Sequence, residues 1–405
     1  SRSETVIVIT TKTWDFLSYQ PIRAAERLGF HVVHMTITNP AEFACVGRTL
    51  HTIKPRQVLF VSVHAIAAAG GAREIEDFAD KVPYIVTVWN VDCVPLIYRD
   101  LPQHPKIRMV HNAPSDCNFW NDHVFSSEAL DFTYGAGDFG APDLDSCVVP
   151  MHERSITLLV PINLRWASRT LDEVTAEVAT RAPLIYRAFE HFYEELRTIP
   201  SCNIPAHIVS SGYCRPEHVV QVCRFVVYAT QLWRRNWLVQ ELLQYPVVID
   251  SNEISPALLK GRRIRAQLLK NNDPALTQAR MTDARAVLNT SSPCDLLHDR
   301  VLNSIALGAL AFSDYNAIFP AVFADKGLIY YDFQIDSIGV AIERLLGEPS
   351  GLQFQQDAGM RRLLDIRDRL GFDRLWLTET SMGRNQEARD RGFTLDEELL
   401  TNVEA

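Results

Sequence analysis

The first 90 residues contain four short runs rich in β-branched residues, with helical sequences between them. The run at Thr5–Thr10 (TVIVIT) is apolar almost throughout, which is typical of a strand covered by helices on both faces. Further runs follow at residues 31–38, 57–63 and 84–89. Between the first two runs, residues 21–28 begin with a proline suited to a first helical turn and end before a glycine. This spacing predicts right-handed βαβ units and a mostly parallel sheet.

The second half of the chain repeats the alternation. Predicted strands occupy residues 224–229, 247–250, 286–289 and 309–313, and predicted helices occupy 236–243, 255–269 and 296–307. Short strands are also predicted at 123–126 and 147–149. The helix-rich stretch between the halves is divided by Pro183. We expect an α/β chain with a Rossmann-like domain at 1–167, a helical connector at 168–200, a second Rossmann-like domain at 201–345 and a helical tail at 346–405.

Composition limits the partners of such a chain. Its 40 Lys and Arg residues against 49 Asp and Glu residues give a net charge of −9, which provides no broad positive surface for duplex DNA or an anionic membrane. No apolar run approaches the ~20 residues that span a bilayer. The 8 cysteines are scattered without a CxxC pair, which favours reduced thiols over a disulfide framework. We expect a cytoplasmic protein without a transmembrane segment or a nucleic-acid partner.

Two motifs resemble cofactor or metal sites but lack the context that such sites need. Residues 135–140 (GAGDFG) match GxGxxG, yet Pro142 and Asp143 follow where a dinucleotide site requires the first turn of a helix. Asp143 and Asp145 form a DxD pair in the same loop, with no third ligand near them in sequence. We expect loops at both motifs, with no metal site and no bound cofactor.

Polar residues follow three of the predicted strands in the first half. Thr11 and Lys12 follow the first strand, His64 follows the third, and Asp92 ends the run WNVD after the fourth. In parallel α/β folds, the carboxyl ends of the strands face the ligand crevice. We therefore expect this set of residues to line a binding site.

A pair of arginines marks the second half. Arg234 and Arg235 stand between a predicted strand and a predicted helix. At such a position a guanidinium group would meet a phosphate beside a helix N-terminus, where backbone N–H groups already favour anions. The alternative is a solvated double arginine, and the position favours an anion site.

Residues 286–314 are the most informative segment. They predict a strand ending in Asn289, a loop, a helix carrying Arg300 and Asn303 on one face, and a further strand. An amphipathic packing helix accounts for the apolar positions of this segment but not for its polar face. The N-terminal dipole of the helix would point at a ligand in the cleft between the halves.

This segment resembles the donor-binding half of GT-B glycosyltransferases, in particular their CgeB-like, group-1-like branch. Members have a strand ending in LN and then a helix reading RxxEAxAxGA, and here LN ends at Asn289 and RVLNSIALGA begins at Arg300. The WxxD strand end of the family is similar to WNVD, which ends at Asp92. The arginine-bearing loop of the family is similar to Arg234 and Arg235. The likeness spans about residues 5–345, and only 286–314 is specific.

The resemblance implies two Rossmann-like domains facing each other across a cleft, with a C-terminal helix folded back on the first. It also implies a metal-independent transfer of a sugar from a nucleotide-diphosphate donor to an acceptor glycan, lipid or protein. The residues implied for the diphosphate are Arg234, Arg235 and Arg300, and those for the ribose or the donor sugar are Asn289, Asp295 and Asn303. The residues implied for orienting the acceptor or acting as a base are Asp92, His64 and Asp15.

One departure from the family leaves two alternatives open. Retaining members carry two glutamates spaced E-x7-E, and the corresponding residues here are Asp295 and Asn303. An amide can hydrogen-bond a hydroxyl, but it lacks the charge-assisted strength of a carboxylate. The first alternative is a nucleotide-sugar 2-epimerase, which shares the two-domain fold but needs carboxylates near the sugar. The second is a non-catalytic nucleotide-sugar-binding subunit derived from a transferase.

Overall fold

The structure is a computed structural model. It describes residues 4–112, 114–125, 131–132, 148–162, 171–198, 203–251, 259–271, 273–290, 298–316, 318–347, 349–366 and 372–376. The chain divides into two compact units. The first comprises Ser1–Gly140 together with Arg367–Ala405, and the second comprises Ala141–Ile366.

The first unit is built on a sheet of six parallel strands in the order β2-β1-β3-β4-β5-β6. The strands are β1 (Thr5–Thr10), β2 (His31–Thr36), β3 (Gln57–Val61), β4 (Ile85–Asn90), β5 (Ile107–His111) and β6 (Asp131–Phe132). The helices are α1 (Tyr19–Arg27), α2 (Pro40–Ile53), α3 (Ser62–Ala69), α4 (Ala72–Lys81), α5 (Val94–Ile97) and α6 (Pro114–His123). Four predicted strands and the helix predicted at 21–28 are confirmed to within two residues.

The second unit carries another sheet of six parallel strands, in the order β12-β11-β10-β7-β8-β9. The strands are β7 (Ile156–Pro161), β8 (Val248–Ser251), β9 (Gln267–Lys270), β10 (Ala284–Asn289), β11 (Leu310–Asp314) and β12 (Leu328–Tyr331). The helices are α7 (Leu171–Arg181), α8 (Tyr186–Thr198), α9 (Ile204–Ser211), α10 (Val219–Leu242), α11 (Pro274–Asp283), α12 (Asp299–Ala306), α13 (Ile318–Phe323), α14 (Ile335–Leu346) and α15 (Pro349–Ile366). The predicted α/β class with two Rossmann-like sheets is confirmed.

Local sequence explains how these elements form. The four central residues of β1 are fully buried, as expected of a strand covered on both faces. At the start of α2, the Asn39 side chain accepts a hydrogen bond from the backbone N–H of Glu42, and Pro40 occupies the first helical turn. The core of the second unit is formed where strands such as β10 and β11 pack against α10 and α14.

The strand orders locate the ligand-binding edge of each sheet. In the first sheet the order reverses between β1 and β3, and in the second it reverses between β7 and β10. In doubly wound folds, ligands bind beyond the carboxyl ends of the strands at such reversals. The residues that follow β1, β3 and β10 are therefore placed where ligands bind in folds of this kind.

Part of the C-terminal tail packs on the first unit. The indole Nε1 of Trp376 donates to the carbonyl oxygen of Pro21 at 2.7 Å, and Gln57 Nε2 donates to the carbonyl oxygen of Leu375 at 2.5 Å. The ring of Phe372 lies edge-on to Trp89, with 5.5 Å between the ring centroids. The described part of this segment contains a 3-10 helix (Phe372–Leu375) that packs on the first unit.

The division between the units differs from the expected one at two places. Residues 156–161 were placed in the first domain and no strand was predicted there, but they form β7, which pairs with β8 and β10 in the second sheet. The helix α15, expected in the tail, belongs to the second unit. Strand pairing brings together residues far apart in sequence, so these memberships are not visible in local pattern.

Several local predictions are wrong. Residues 224–229 were predicted to be a strand, but they lie inside the 24-residue helix α10. This run is apolar with β-branched residues, and periodicity cannot separate a buried strand from a buried helix. Residues 267–269, placed in a predicted helix, belong to β9. His123 ends α6 rather than beginning a strand, and the described part of 147–149 is not a strand either.

Two further findings concern membranes and thiols. Within the described ranges, no helix is long and apolar enough to cross a membrane. Cys45, Cys117, Cys214 and Cys223 are free thiols, whereas Cys93 is disulfide-bonded. The expectation of reduced thiols is therefore wrong for Cys93, because sequence spacing does not show which thiols the fold brings together.

Candidate functional site

Three residues at the carboxyl ends of neighbouring strands lie at the centre of a polar cluster in the second unit. Asn289, Asp314 and Tyr331 are the last residues of β10, β11 and β12. The Tyr331 hydroxyl donates to the carbonyl oxygen of Asn289 at 2.9 Å, and Asn289 Nδ2 donates to Ser313 Oγ at 2.9 Å. Asn289 Oδ1 is buried and hydrogen-bonds to no described residue. It is therefore an acceptor that a ligand donor would satisfy.

Arg234 reaches this edge from α10. Its Nη1 lies 3.7 Å from Asp314 Oδ2, and the two side chains are only 4% and 1% exposed. Its guanidinium carbon lies 4.9 Å from the ring centroid of Phe333. A buried charge of this kind needs a partner, and Asp314 supplies one. Arg234 is thus held in place by a carboxylate and an aromatic face.

Arg235 and Arg300 bring two further positive charges together. Burial, with the neighbouring charge of Arg300, lowers the pKa of Arg235 to about 10. Burial also lowers the pKa of Arg300, and the charge of Asp299 opposes this. Two guanidinium groups within electrostatic range repel one another, and an anion between them would relieve the repulsion. We call Arg234, Arg235, Arg300, Asp314 and Tyr331 the arginine cluster.

Tyr331 connects the members of the arginine cluster electrostatically. Burial raises its pKa well above the ordinary value, and the charge of Asp314 raises it further. The charges of Arg234 and Arg300 act in the opposite direction. The phenol therefore stays protonated at neutral pH and remains a hydrogen-bond donor.

The helix α12 positions Arg300 and Asn303. His298 precedes the helix and its ring Nδ1 pairs with Asp299 Oδ1, which also accepts a hydrogen bond from the Arg300 N–H at 2.8 Å. Burial would raise the pKa of Asp299, but the adjacent charges of His298 and Arg300 hold it below its ordinary value. Asn303 Oδ1 is buried and has no hydrogen-bond partner among the described residues. Asp295 lies outside the described residues, as do the GxGxxG and DxD motifs.

The structure changes the argument for the arginine pair. Arg234 and Arg235 lie well inside α10 rather than between a strand and a helix. Their backbone N–H groups are hydrogen-bonded within the helix and cannot bind a phosphate. Any anion binding at this position must come from the side chains. The prediction of a helix N-terminus beside these residues is therefore wrong.

In the first unit, Asp15 belongs to a polar group at the carboxyl end of β1. Asp15 lies in a 3-10 helix (Lys12–Ser18) that follows the strand. Its Oδ1 accepts a hydrogen bond from Thr10 Oγ1 at 2.7 Å and lies 2.9 Å from His34 Nε2. His34 Nε2 is also 3.1 Å from Thr10 Oγ1. The Asp15 and His34 side chains are 48% and 30% exposed, so solvent reaches both.

His64 and Asp92 form a second pair, at the ends of β3 and β4. Burial lowers the pKa of His64, and the charge of Asp92 opposes this shift. Asn90 fixes the turn after β4, because its Nδ2 donates to the Asp92 carbonyl at 2.7 Å and its Oδ1 accepts from the Asp92 N–H at 3.1 Å. Ser62 connects β3 to α3 with a φ of 68°, a conformation that costs energy for a residue other than glycine. The pair is thus held by two tight strand-to-helix junctions.

Sequence reasoning missed four of these residues: Thr10, His34, Asp314 and Tyr331. Each is at or near the carboxyl end of a strand, and that position was the available signal. Among the residues that the structure describes, no group of three or more His, Cys, Asp or Glu side chains is arranged to hold a metal ion.

The sequence matches no protein-family model and no curated protein. Solved structures provide a comparison. The chain is similar to sucrose-phosphate synthase from Thermosynechococcus elongatus, with a TM-score of 0.51 at 9% identity over 95% of this chain and 100% of that chain. The chain has the fold of GT-B glycosyltransferases.

Two weaker similarities accompany this one. The structure of Anabaena Alr3699/HepE in complex with UDP and glucose has a TM-score of 0.46 at 8% identity, over 89% of this chain and 94% of that chain. UDP-N-acetylglucosamine 2-epimerase from Rickettsia bellii has a TM-score of 0.39 at 9% identity, over 92% and 97%. With TM-scores below 0.5 these two similarities carry no argument, so the GT-B fold rests on the first comparison and function must be argued from the site.

Proposed function

We propose that this protein is a glycosyltransferase that moves a sugar from a nucleotide-diphosphate donor to an acceptor glycan, lipid or protein. The observation that carries the proposal is the buried Arg234–Asp314 pair at the carboxyl end of β11, next to Asn289 Oδ1 at the carboxyl end of β10, which hydrogen-bonds to no described residue. Burial, together with the charge of Arg300, also lowers the pKa of Arg235. Positive charge concentrated at this edge of a doubly wound sheet suits a diphosphate. The CgeB-like, group-1-like branch is part of the proposal.

The arginine cluster would act on the leaving group. In the transfer, the bond between the anomeric carbon and the diphosphate oxygen breaks, and negative charge develops on the diphosphate. Arg235 and Arg300 would stabilise this charge with groups already in place, and Arg234 would add to the positive potential. The proposal assigns this role to side chains and predicts that transfer persists when divalent metal ions are chelated.

The amides of the site would bind hydroxyl groups. Asn289 Oδ1 and Asn303 Oδ1 are buried acceptors that hydrogen-bond to no described residue. A ribose or sugar hydroxyl donating to them would remove the cost of leaving them unsatisfied. Both residues belong to segments next to the arginine cluster, which supports a donor site built around them.

The first unit would bind the acceptor. The acceptor hydroxyl loses its proton as its oxygen bonds to the anomeric carbon, and a nearby base would accept that proton. Asp15 is a half-exposed carboxylate held by Thr10 and His34. His64 has a lowered pKa and is therefore neutral, and able to accept a proton, at pH 7. We propose Asp15 as the base and the His64–Asp92 pair as the group that orients the acceptor.

Donor binding tests the arginine cluster directly. UDP, GDP and dTDP are titrated against the full chain, and the melting temperature is followed. A ligand at 100 times its Kd raises stability by about 2.7 kcal/mol. We expect one of these diphosphates to raise the melting temperature of the wild type. Arg300→Ala removes a charge-assisted contact worth ~1.5–3 kcal/mol, so affinity falls roughly 10- to 100-fold and donor turnover is lost.

Arg181→Ala is the matched control, because this arginine is 77% exposed and belongs to the same unit. We expect Arg181→Ala to bind the diphosphate with wild-type affinity. If no diphosphate raises the melting temperature, or if Arg300→Ala binds as tightly as the control, the donor site is not at the arginine cluster.

Acceptor activation is tested separately. Asp15→Asn lowers kcat and leaves donor binding unchanged, because the amide keeps the contact with Thr10 but cannot take a proton. His31→Gln is the control, because His31 lies at the amino end of β2, whereas Asp15 follows the carboxyl end of β1. Equal kcat values for Asp15→Asn and the control would exclude Asp15 as the base.

A second candidate is a non-catalytic nucleotide-sugar-binding subunit. It is favoured by Asn303, an amide where the resemblance leads us to expect a glutamate. The two candidates differ in slow hydrolysis of the bound donor. A transferase releases free sugar to water, and this release disappears in Arg300→Ala, whereas a binding subunit leaves the bound donor intact.

A further inference from the structure

A cavity lies in the second unit, near the amino ends of the strands, whereas the arginine cluster lies at their carboxyl ends. Its volume is about 460 Å³, which falls within the range of small-molecule sites. One wall is formed by α15 and the other by Asp325 and Lys326, which precede the amino end of β12. The arginine cluster is at the carboxyl ends of the strands, so this cavity is a separate place in the fold.

The α15 wall presents an aromatic ring and a guanidinium group on one helix face. Phe354, Ala358 and Arg361 follow at helical spacing and all line the cavity. Phe354 is 71% exposed, which is unusual for a large apolar side chain and leaves its ring available for stacking. Arg361 is seven positions after Phe354 in the helix, which corresponds to about 10 Å along the helix axis. The small side chain of Ala358 leaves the space between them open.

The polar groups of the cavity favour an anion with a hydrogen-bond donor. Gln355 Oε1 is buried and hydrogen-bonds to no described residue. The cationic side chains of the lining are Lys326, Arg361 and Arg362, against the carboxylates of Asp325 and Asp365. Asp325 Oδ1 also accepts a hydrogen bond from the Tyr330 hydroxyl at 2.7 Å, and Arg362 Nε donates to the Val322 carbonyl at 2.7 Å. The lining therefore carries net positive charge together with an acceptor that needs a donor.

We propose that this cavity binds a nucleoside monophosphate. The base stacks on Phe354, an amino or imino group of the base donates to Gln355 Oε1, and the phosphate lies against Arg361 and Lys326. Aromatic rings bind bases by stacking, and guanidinium groups bind phosphates through charge-assisted hydrogen bonds. This site is independent of the proposed donor site, and it gives the chain a place for a nucleotide that is not consumed.

The test measures 5′-AMP binding to the full chain by calorimetry, with adenosine and inorganic phosphate as partial ligands. We expect AMP to bind at least tenfold more tightly than either part. Phe354→Ala and Arg361→Gln each weaken AMP binding fivefold or more. Both residues are exposed, so neither substitution should alter the melting temperature by more than a degree or two.

Two controls separate this site from others. Leu364→Ala changes an exposed apolar residue of the same helix outside the cavity lining and keeps wild-type AMP affinity. Arg300→Ala also keeps it, because that residue belongs to the arginine cluster. The proposal is overturned if AMP does not bind at millimolar concentration, if Phe354→Ala and Arg361→Gln bind as the wild type does, or if Arg300→Ala alone removes binding.

Discussion

Replacing Gly308 by alanine would put a Cβ where the second unit has no room for one. Gly308 follows α12 with a φ of 75°, and its N–H donates to the Ile305 carbonyl at 3.0 Å. A Cβ at this position would lie 2.1 Å from Val148 Cγ1, 2.6 Å from Gln356 Nε2 and 2.7 Å from Arg154 Nη2. These distances are far below van der Waals contact, so the neighbours must move.

One of those neighbours supports the surrounding backbone. The buried Arg154 donates from Nη2 to the Leu307 carbonyl at 3.0 Å and from Nη1 to the Ala284 carbonyl at 2.7 Å. The new methyl group would displace this guanidinium from Leu307. Overpacking of this kind costs about 1–3 kcal/mol. The left-handed backbone adds about 1–2 kcal/mol for a residue with a Cβ. We expect Gly308→Ala to lower the free energy of unfolding by about 2–5 kcal/mol.

Gly212→Ala is the matched control. Gly212 belongs to the same unit and has a φ of 65°, but a Cβ there meets nothing within 4 Å. The Gly212→Ala variant carries the cost of the left-handed backbone without a steric collision. Its free energy of unfolding therefore falls by about 1–2 kcal/mol. Urea unfolding followed by circular dichroism gives both values from the transition of the second unit. If the two variants lose equal stability, the packing argument at Gly308 is refuted.

Two further predictions concern buried charge. Asp314→Asn leaves Arg234 buried without its carboxylate, so we expect the free energy of unfolding to fall by about 3–5 kcal/mol. The double variant Arg234→Met/Asp314→Leu removes both charges and recovers much of this loss in the same urea assay. Equal losses for the single and double variants would show that the pair is not coupled. Burial lowers the pKa of His111 to about 3, so the folded state resists a proton that the unfolded chain accepts near pH 6.5. His111 therefore makes the free energy of unfolding fall as the pH drops from 6.5 towards 3, by up to ~1.4 kcal/mol per pH unit, and His111→Asn removes this contribution to the slope. An unchanged slope in that variant would contradict the assignment to His111.

Strands β1–β4 of the first unit could be predicted because runs of apolar and β-branched residues mark them in the local sequence, whereas β5 and β6 were not predicted. A strand covered on both faces must be apolar along its length, as β1 is, and the intervening helices carry their own start and stop signals. The same reasoning failed at residues 224–229 because this six-residue run is too short to show the polar positions that recur at helical spacing along α10, such as Gln221, Tyr228 and Gln231. Asn289, Arg300 and Asn303 could be placed near a strand end because the segment that carries them is continuous in sequence.

Membership of the arginine cluster could not be predicted in the same way. Arg234 lies 80 residues before Asp314 in the chain, and Tyr331 follows 17 residues later. Nothing in the local pattern near Asp314 shows that a guanidinium from α10 will reach it. In the first unit, likewise, His34 and Asp15 come together only because β1 and β2 pair in register.

The sequence by itself determined the α/β class, most of the strands and which polar residues follow them, because these properties depend on short-range patterns of burial and capping. Only the tertiary structure decided the order of the strands, the membership of β7 in the second sheet and the meeting of Arg234, Asp314 and Tyr331. Those outcomes depend on which strands pair and on the burial of charges that are distant in sequence. Both are long-range interactions that no local pattern encodes.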